Sequence, residues 1–160
     1  MSKIILGIDP GIADTGYGII SREDGGEIVC LGYGSIKTSS KKELAERLLE
    51  LNRELEKIIK KYKPQTAAIE QLFFNKNVKT ALIVGQARGV ALLTLRQNKI
   101  NFLEFTPGQI KQAVAAYGKA DKKQVQKMVK LLLGLKEIPR PDDAADALAA
   151  AICASCFKQF

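Results

Sequence analysis

"IILGIDPGIADTGYGII", residues 4–20, runs from aliphatic residues into an aspartate, turns, and enters a second apolar stretch. Ile4, Ile5, Leu6 and Ile8 leave the first stretch no polar face, which predicts a central strand covered on both sides, spanning Lys3 to Asp9. After the turn "DPGIAD" a second strand is expected from Gly16 to Arg22. A third, from Glu27 to Lys37, follows "EDGG", whose Asp-Gly is a hairpin signal. The three strands read as an antiparallel meander. Asp9 at the tip of the first one is either a turn-capping residue, as Asp-Pro-Gly favours, or part of a site.

Further along, Leu44, Leu48, Leu51, Leu55, Ile58 and Ile59 fall at helical spacing, with Ser39 or Ser40 as expected N-cap and Pro64 as the stop. Glu43 with Arg47 and Glu56 with Lys60 are placed to pair at i,i+4 on its exposed face. "QTAAIEQ" then reads as a short buried strand, and the intervening helix makes it a crossover that lies parallel to its sheet neighbour. A second helix is expected from about Asn77 to Gln97, and "INFLEF" as a fifth strand. Further helices open at Thr106-Pro107, Asp121 and Asp142. No stretch reads as a linker, so residues 1–160 are expected to form one α/β domain.

Composition narrows the chemistry. The chain has 160 residues and no histidine, which removes Ser-His-Asp catalysis, His-ligated zinc and imidazole bases together. Cys30, Cys153 and Cys156 are too sparse for a disulfide framework and fit a reducing compartment. Cys153 and Cys156, a C-x-x-C with no further ligands, read as small core residues. "MSKIILG" is too short an apolar run for a signal segment, and no stretch reads as membrane-spanning, so a cytoplasmic protein is expected. The net charge of +8 is uneven: residues 73–140 hold 13 basic residues against 3 acidic ones. Solvated lysines explain part of this, but such an excess in one segment points to an anionic partner, foremost nucleic acid.

The acidic residues are the other signal. Glu70 ends the apolar strand "AAIE", and a glutamate there is rarely tolerated unless paired or coordinated. If the strands ending at Asp9 and Glu70 are parallel neighbours, both acids reach the carboxyl edge of the sheet, where open α/β sheets place their sites. In "PRPDDAADALAAAICASCF", Asp143 and Asp146 stand at i,i+3 on one helix face. Asp142, at i,i+4 from Asp146, is also in reach, although after Pro141 it is the natural N-cap. Seven alanines between 144 and 154 let this helix lie close on the sheet. Two carboxylates about 4 Å apart repel by about 4 kcal/mol at an effective dielectric of about 20, so such a cluster needs protons or cations. Oxygen donors alone point to Mg²⁺ or Mn²⁺, and a pair of such ions is the arrangement used for in-line phosphodiester cleavage.

"GIDPG" with "TGYG", "AIEQLFFNKN", "GQARGV" and "DDAADALA" together resemble the RuvC family of bacterial Holliday-junction resolvases, from Ile4 to about Ile152. The resemblance implies an RNase H-like fold, a five-stranded mixed sheet with helices on both faces. It implies an endodeoxyribonuclease, a homodimer that nicks two opposing strands of a four-way DNA junction with Mg²⁺, two ions per active site, Mn²⁺ substituting. It also implies work beside the RuvA and RuvB branch-migration complex.

By motif, Asp9, Glu70, Asp143 and Asp146 match the family's catalytic metal ligands. Phe73 of "EQLFF" matches its junction-stacking aromatic, although Phe73 and Phe74 read alone as core residues. Lys111 and Lys122 match basic residues near the scissile strand, with Lys123 an adjacent alternative. The helix "NVKTALIVGQARGVALLTLRQ" resembles the family's dimer helix, its apolar residues covering more than one face.

Other classes compete. The strand end "GIDPG" also suits actin-like and sugar-kinase ATPases, but these need a second domain and a further phosphate loop. A junction-binding scaffold fits the basic segment but leaves the acidic residues unused. A nuclease of RNA/DNA hybrids shares the chemistry.

Overall fold

The computed structural model describes residues 1–72 and 77–157, so Phe73 and Phe74 lie outside the described residues. Its elements are β1 (Lys3–Asp9), β2 (Asp14–Arg22), β3 (Ile28–Lys37), α1 (Leu44–Tyr62), β4 (Thr66–Glu70), α2 (Val78–Gln97), β5 (Asn101–Phe105), α3 (Pro107–Ala115), α4 (Lys122–Leu132) and α5 (Asp142–Ser155). The strands form one sheet in the order β3-β2-β1-β4-β5. β1, β2 and β3 pair antiparallel, whereas β4 lies parallel to both β1 and β5. This is the five-stranded mixed sheet that the family resemblance implies, and it contains the meander and the parallel crossover read from the residues.

β1 is central because both its faces are apolar. Ile5 joins Leu148, Ile152 and Val129 on one side, under α3, α4 and α5; Leu6 and Ile8 join Leu51, Leu55 and Leu95 on the other, under α1 and α2. The helix that lies closest to the sheet is α5. A Cβ on Gly7 would stand 1.8 Å from the Ala147 carbonyl oxygen, and one on Gly16 would stand 2.0 Å from that of Asp143. Glycine on the strands and alanine on the helix therefore act together: only a sheet without side chains at these points admits the helix backbone.

Helix starts follow their local chemistry. Thr106 with Gln109 and Asp121 with Gln124 form reciprocal capping boxes at α3 and α4, and Asn77 caps α2. Two expected caps are corrected. Ser39 accepts the Lys41 N–H on its hydroxyl and the Lys42 N–H on its carbonyl, making a separate turn, so α1 starts later with Glu43 at its cap and no side-chain bond there. At α5 the cap position is Pro141; Asp142 is the first helical residue, and its carboxylate is drawn to Lys122 instead.

Other differences are small. β2 begins at Asp14, paired with Lys37, because the Thr15 hydroxyl donates to the Gly11 carbonyl and closes the turn early. Glu56 and Lys60 stand 3.9 Å apart, but Arg47 donates to the Thr38 hydroxyl at 3.0 Å. Helix α2 is, against expectation, long and apolar enough to cross a membrane by length and composition. Its Ala87, Ala91 and Leu95 are fully buried under the sheet and Thr94 accepts from Asn52 of α1 at 2.7 Å, whereas Val78, Leu82 and Leu93 stay exposed, so core packing accounts for only part of the apolar content.

Candidate metal centre

The parallel pairing of β1 and β4 brings Asp9 and Glu70 to the same edge of the sheet. Asp9 is paired across the ladder with Gly16, and the backbone of Asp143 occupies the space that a Gly16 side chain would fill. That contact sets the first turn of α5 over the end of β1. Carboxylate oxygens of Asp9, Asp143 and Asp146 consequently lie within 4.8 Å of one another. Asp142 is not in this group: one of its oxygens is 3.2 Å from the Lys122 ammonium and the other accepts from Gln126 at 3.3 Å. The neighbouring acids, which spacing alone left open, are thus separated by the fold.

The electrostatics are those of a charge cluster taken from water. Burial, then repulsion from Asp146 and Asp143, raises the Asp9 pKa from 3.8 to about 8. Asp146 is also raised, by burial foremost and by Asp143, with Lys122 opposing. Glu70 is raised by burial and by Asp146, with Lys111 opposing, although Glu70 stands outside the closest group of three. Oxygen donors only, half-buried and mutually repelling, fit a divalent cation, which would favour the ionised form of each acid.

Two clefts flank Glu70. One, of about 260 Å³, is lined by Glu70, Asp146, Lys111 and Lys122. The other, of about 410 Å³, is lined by Asp9, Glu70, Leu72 and Arg88. Lys122 reaches to 3.9 Å from Asp146 while paired with Asp142. Lys123 is exposed and lines neither cleft. Sequence reasoning missed Arg88, whose guanidinium donates to the Glu70 carbonyl at 3.0 Å and pairs with Glu104 at 2.8 Å. The signal was present in "GQARGV": an arginine in an otherwise apolar helical run needs a partner.

Comparison with known proteins gives this geometry a family. Residues 5–154 match the family model described as crossover junction endodeoxyribonuclease RuvC. The crossover junction endodeoxyribonuclease RuvC of Caldicellulosiruptor saccharolyticus is 58% identical over 149 residues, covering 93% of this chain and 90% of that protein. The Thermus thermophilus RuvC structure superposes with a TM-score of 0.86 at 35% identity, covering 94% of this chain and 92% of that one. T. thermophilus RuvC in complex with Holliday junction substrate matches with a TM-score of 0.85 at 33% identity, covering 94% and 91%. With its RNase H-like sheet, its acidic centre and a family match that runs through almost all its length, the chain belongs to the RuvC family of crossover junction endodeoxyribonucleases.

Proposed function

We propose that this protein resolves four-way DNA junctions by metal-dependent nicking of two opposing strands, acting as a homodimer in the cytoplasm during recombination and repair. The observation that carries the reading is the convergence of Asp9, Asp143 and Asp146 at the carboxyl edge of the sheet, in a chain of this family. A relative solved with a Holliday junction substrate supports the choice of DNA.

In this reading Asp9, Asp143 and Asp146 hold Mg²⁺, with Glu70 completing the set for a second ion and Mn²⁺ substituting. Divalent ions held there would supply Lewis-acid chemistry for phosphodiester hydrolysis. The chain's own residues do the rest. The carboxylates fix where cations stand, and Lys111 and Lys122, which line the cleft between Glu70 and Asp146, receive the scissile phosphate. Lys122 must leave Asp142 or share itself to do so, and that pair is half-exposed and easily exchanged. Phe73, three residues after Glu70, is assigned to stacking at the junction's exchange point.

The dimer reading is supported by α2, where Val78, Leu82 and Leu93 are more than half exposed on a helix whose opposite side packs into the core through Ala87, Ala91 and Leu95. A two-fold enzyme suits a substrate with near two-fold symmetry. Coordination with the RuvA and RuvB branch-migration complex belongs to the same proposal.

The test is cleavage of an end-labelled four-way DNA junction in Mg²⁺, beside linear duplex and RNA/DNA hybrid. Paired nicks confined to the junction are expected. Binding without cleavage in Mg²⁺ and Mn²⁺ alike overturns the nuclease assignment, and preferential cleavage of the hybrid overturns the substrate.

A further inference from the structure

The ladder between β1 and β4 runs from Ile5–Thr66 to Ile8–Ile69 and stops one residue short of the two strand-end acids. Asp9 and Glu70 are therefore not fixed to each other by sheet pairing. Glu70 is held from its other side. It pairs with Phe105 of β5, the Gln71 N–H donates to the Phe105 carbonyl at 2.7 Å, and the Glu70 carbonyl accepts from Arg88 at 3.0 Å.

Arg88 is well placed to fix that carbonyl. Its side chain is only 12% exposed, and a second guanidinium nitrogen pairs with Glu104 at 2.8 Å. Glu104 lies opposite Ile69 in the β4–β5 register. One planar cation thus bridges the last rungs of two strands, using two donors in a fixed fork. Lysine has a single ammonium on a flexible stem and cannot reproduce the fork.

We infer that Arg88 is a positioning residue for Glu70: by clamping the Glu70 carbonyl to Glu104 it sets the direction in which the Glu70 carboxylate leaves the end of β4. The inference rests on the reading of Glu70 as a metal ligand. Outer partners of metal ligands typically govern affinity by about tenfold or more when removed, because a ligand free to rotate must be ordered again on binding. Helix α2 is thereby tied to the end of β4 through the Arg88 side chain.

The experiment titrates Mn²⁺ into the full-length protein and reads the midpoint of the metal-induced rise in melting temperature, alongside half-saturation for junction cleavage. Arg88→Lys and Arg88→Gln should each raise both midpoints by about tenfold while junction affinity in EDTA stays within about twofold. Leu95→Val, on the same helix but in the core, should lower the melting temperature without moving the Mn²⁺ midpoint. Unchanged Mn²⁺ midpoints in both Arg88 variants, or an equal shift in Leu95→Val, overturn the inference and leave Arg88 a packing residue. Glu70→Gln separates the two levels: if it binds Mn²⁺ like the native protein, the ligand role of Glu70 has failed and the positioning role with it. If it loses affinity while the Arg88 variants do not, the positioning role alone falls.

Discussion

Replacing Asp9 with asparagine should make the metal-free protein more stable while abolishing cleavage, and the gain should depend on pH. The Asp9 carboxyl has a pKa near 3.8 in the unfolded chain and about 8 in the fold, raised by burial and by Asp146 and Asp143. Between those values the folded chain keeps a proton that the unfolded chain has released, so stability falls as pH rises from about 4 to 8. At about 1.4 kcal/mol per unit, the whole shift corresponds to an upper bound on the order of 5 kcal/mol. Direct repulsion gives a similar scale: carboxylate oxygens within 4.8 Å repel by about 3.5 kcal/mol per pair at an effective dielectric near 20.

Asparagine is neutral, nearly isosteric, and offers N–H donors to the two remaining carboxylates. Half the bound is a reasonable expectation, and at about 2–4 °C per kcal/mol this gives a melting temperature raised by roughly 5–10 °C at pH 8 in EDTA. At pH 5 folded Asp9 keeps its proton and only about a third of the linkage has been lost, so the difference should shrink to roughly 1.5–3 °C. Saturating Mg²⁺ at pH 8 should reverse the ranking, since the native site gains more from the ion. Scanning calorimetry at both pH values, with and without Mg²⁺, provides the measurement. An Asp9→Asn protein that melts lower than native at pH 8 in EDTA, or that differs equally at both pH values, refutes the repulsion argument. Retained cleavage refutes the ligand assignment.

Three further outcomes are expected, two from the same geometry and one from the family motif. Gly7→Ala should destabilise the fold by about 3 kcal/mol or prevent folding, because its Cβ would overlap the Ala147 carbonyl; an unchanged urea midpoint refutes the close packing of α5. Asp142→Asn should change cleavage by less than about threefold, since it removes one half-exposed ion pair, whereas Asp143→Asn should reduce it by at least about a hundredfold; equal losses in parallel rate assays place both acids in the centre. Phe73→Ala should slow cleavage more than it weakens junction binding, and an unchanged cleavage rate refutes the stacking role.

The sequence made legible those features whose signals are local. The hairpin at "EDGG", the apolar run of β1 and the capping patterns at Thr106 and Asp121 each act within a few residues, and each element formed where they point. The acids at strand ends were readable because parallel strands share their carboxyl edge. Where two local signals competed, the reading failed: Ser39 can cap a helix or close a turn, and it closes the turn. Pairings between distant segments were out of reach. Nothing near Asp142 announces Lys122, and nothing near Glu70 announces Arg88. The alanines of α5 were visible as permission for close packing, but the matching glycines on β1 and β2 gain meaning only when the two surfaces are brought together.

That match explains how the fold tolerates a centre that opposes it. Asp9, Asp143 and Asp146 repel one another, and the least costly relief would be for the first turn of α5 to lift from the sheet. The helix cannot readily do so, because its next turns are sunk into the sheet at Gly7 and its Leu148 and Ile152 lie in the core. The cations nearby balance the acids only in part: Lys122, 3.9 Å from Asp146, is shared with Asp142, Lys111 acts on Glu70 alone, and Arg88 is held between Glu104 and the Glu70 carbonyl. Negative charge is therefore concentrated by a rigid contact and left for an ion to balance. A looser helix would relieve the repulsion and part the carboxylates in the same movement, so the small residues along β1, β2 and α5 are what keep the three acids together.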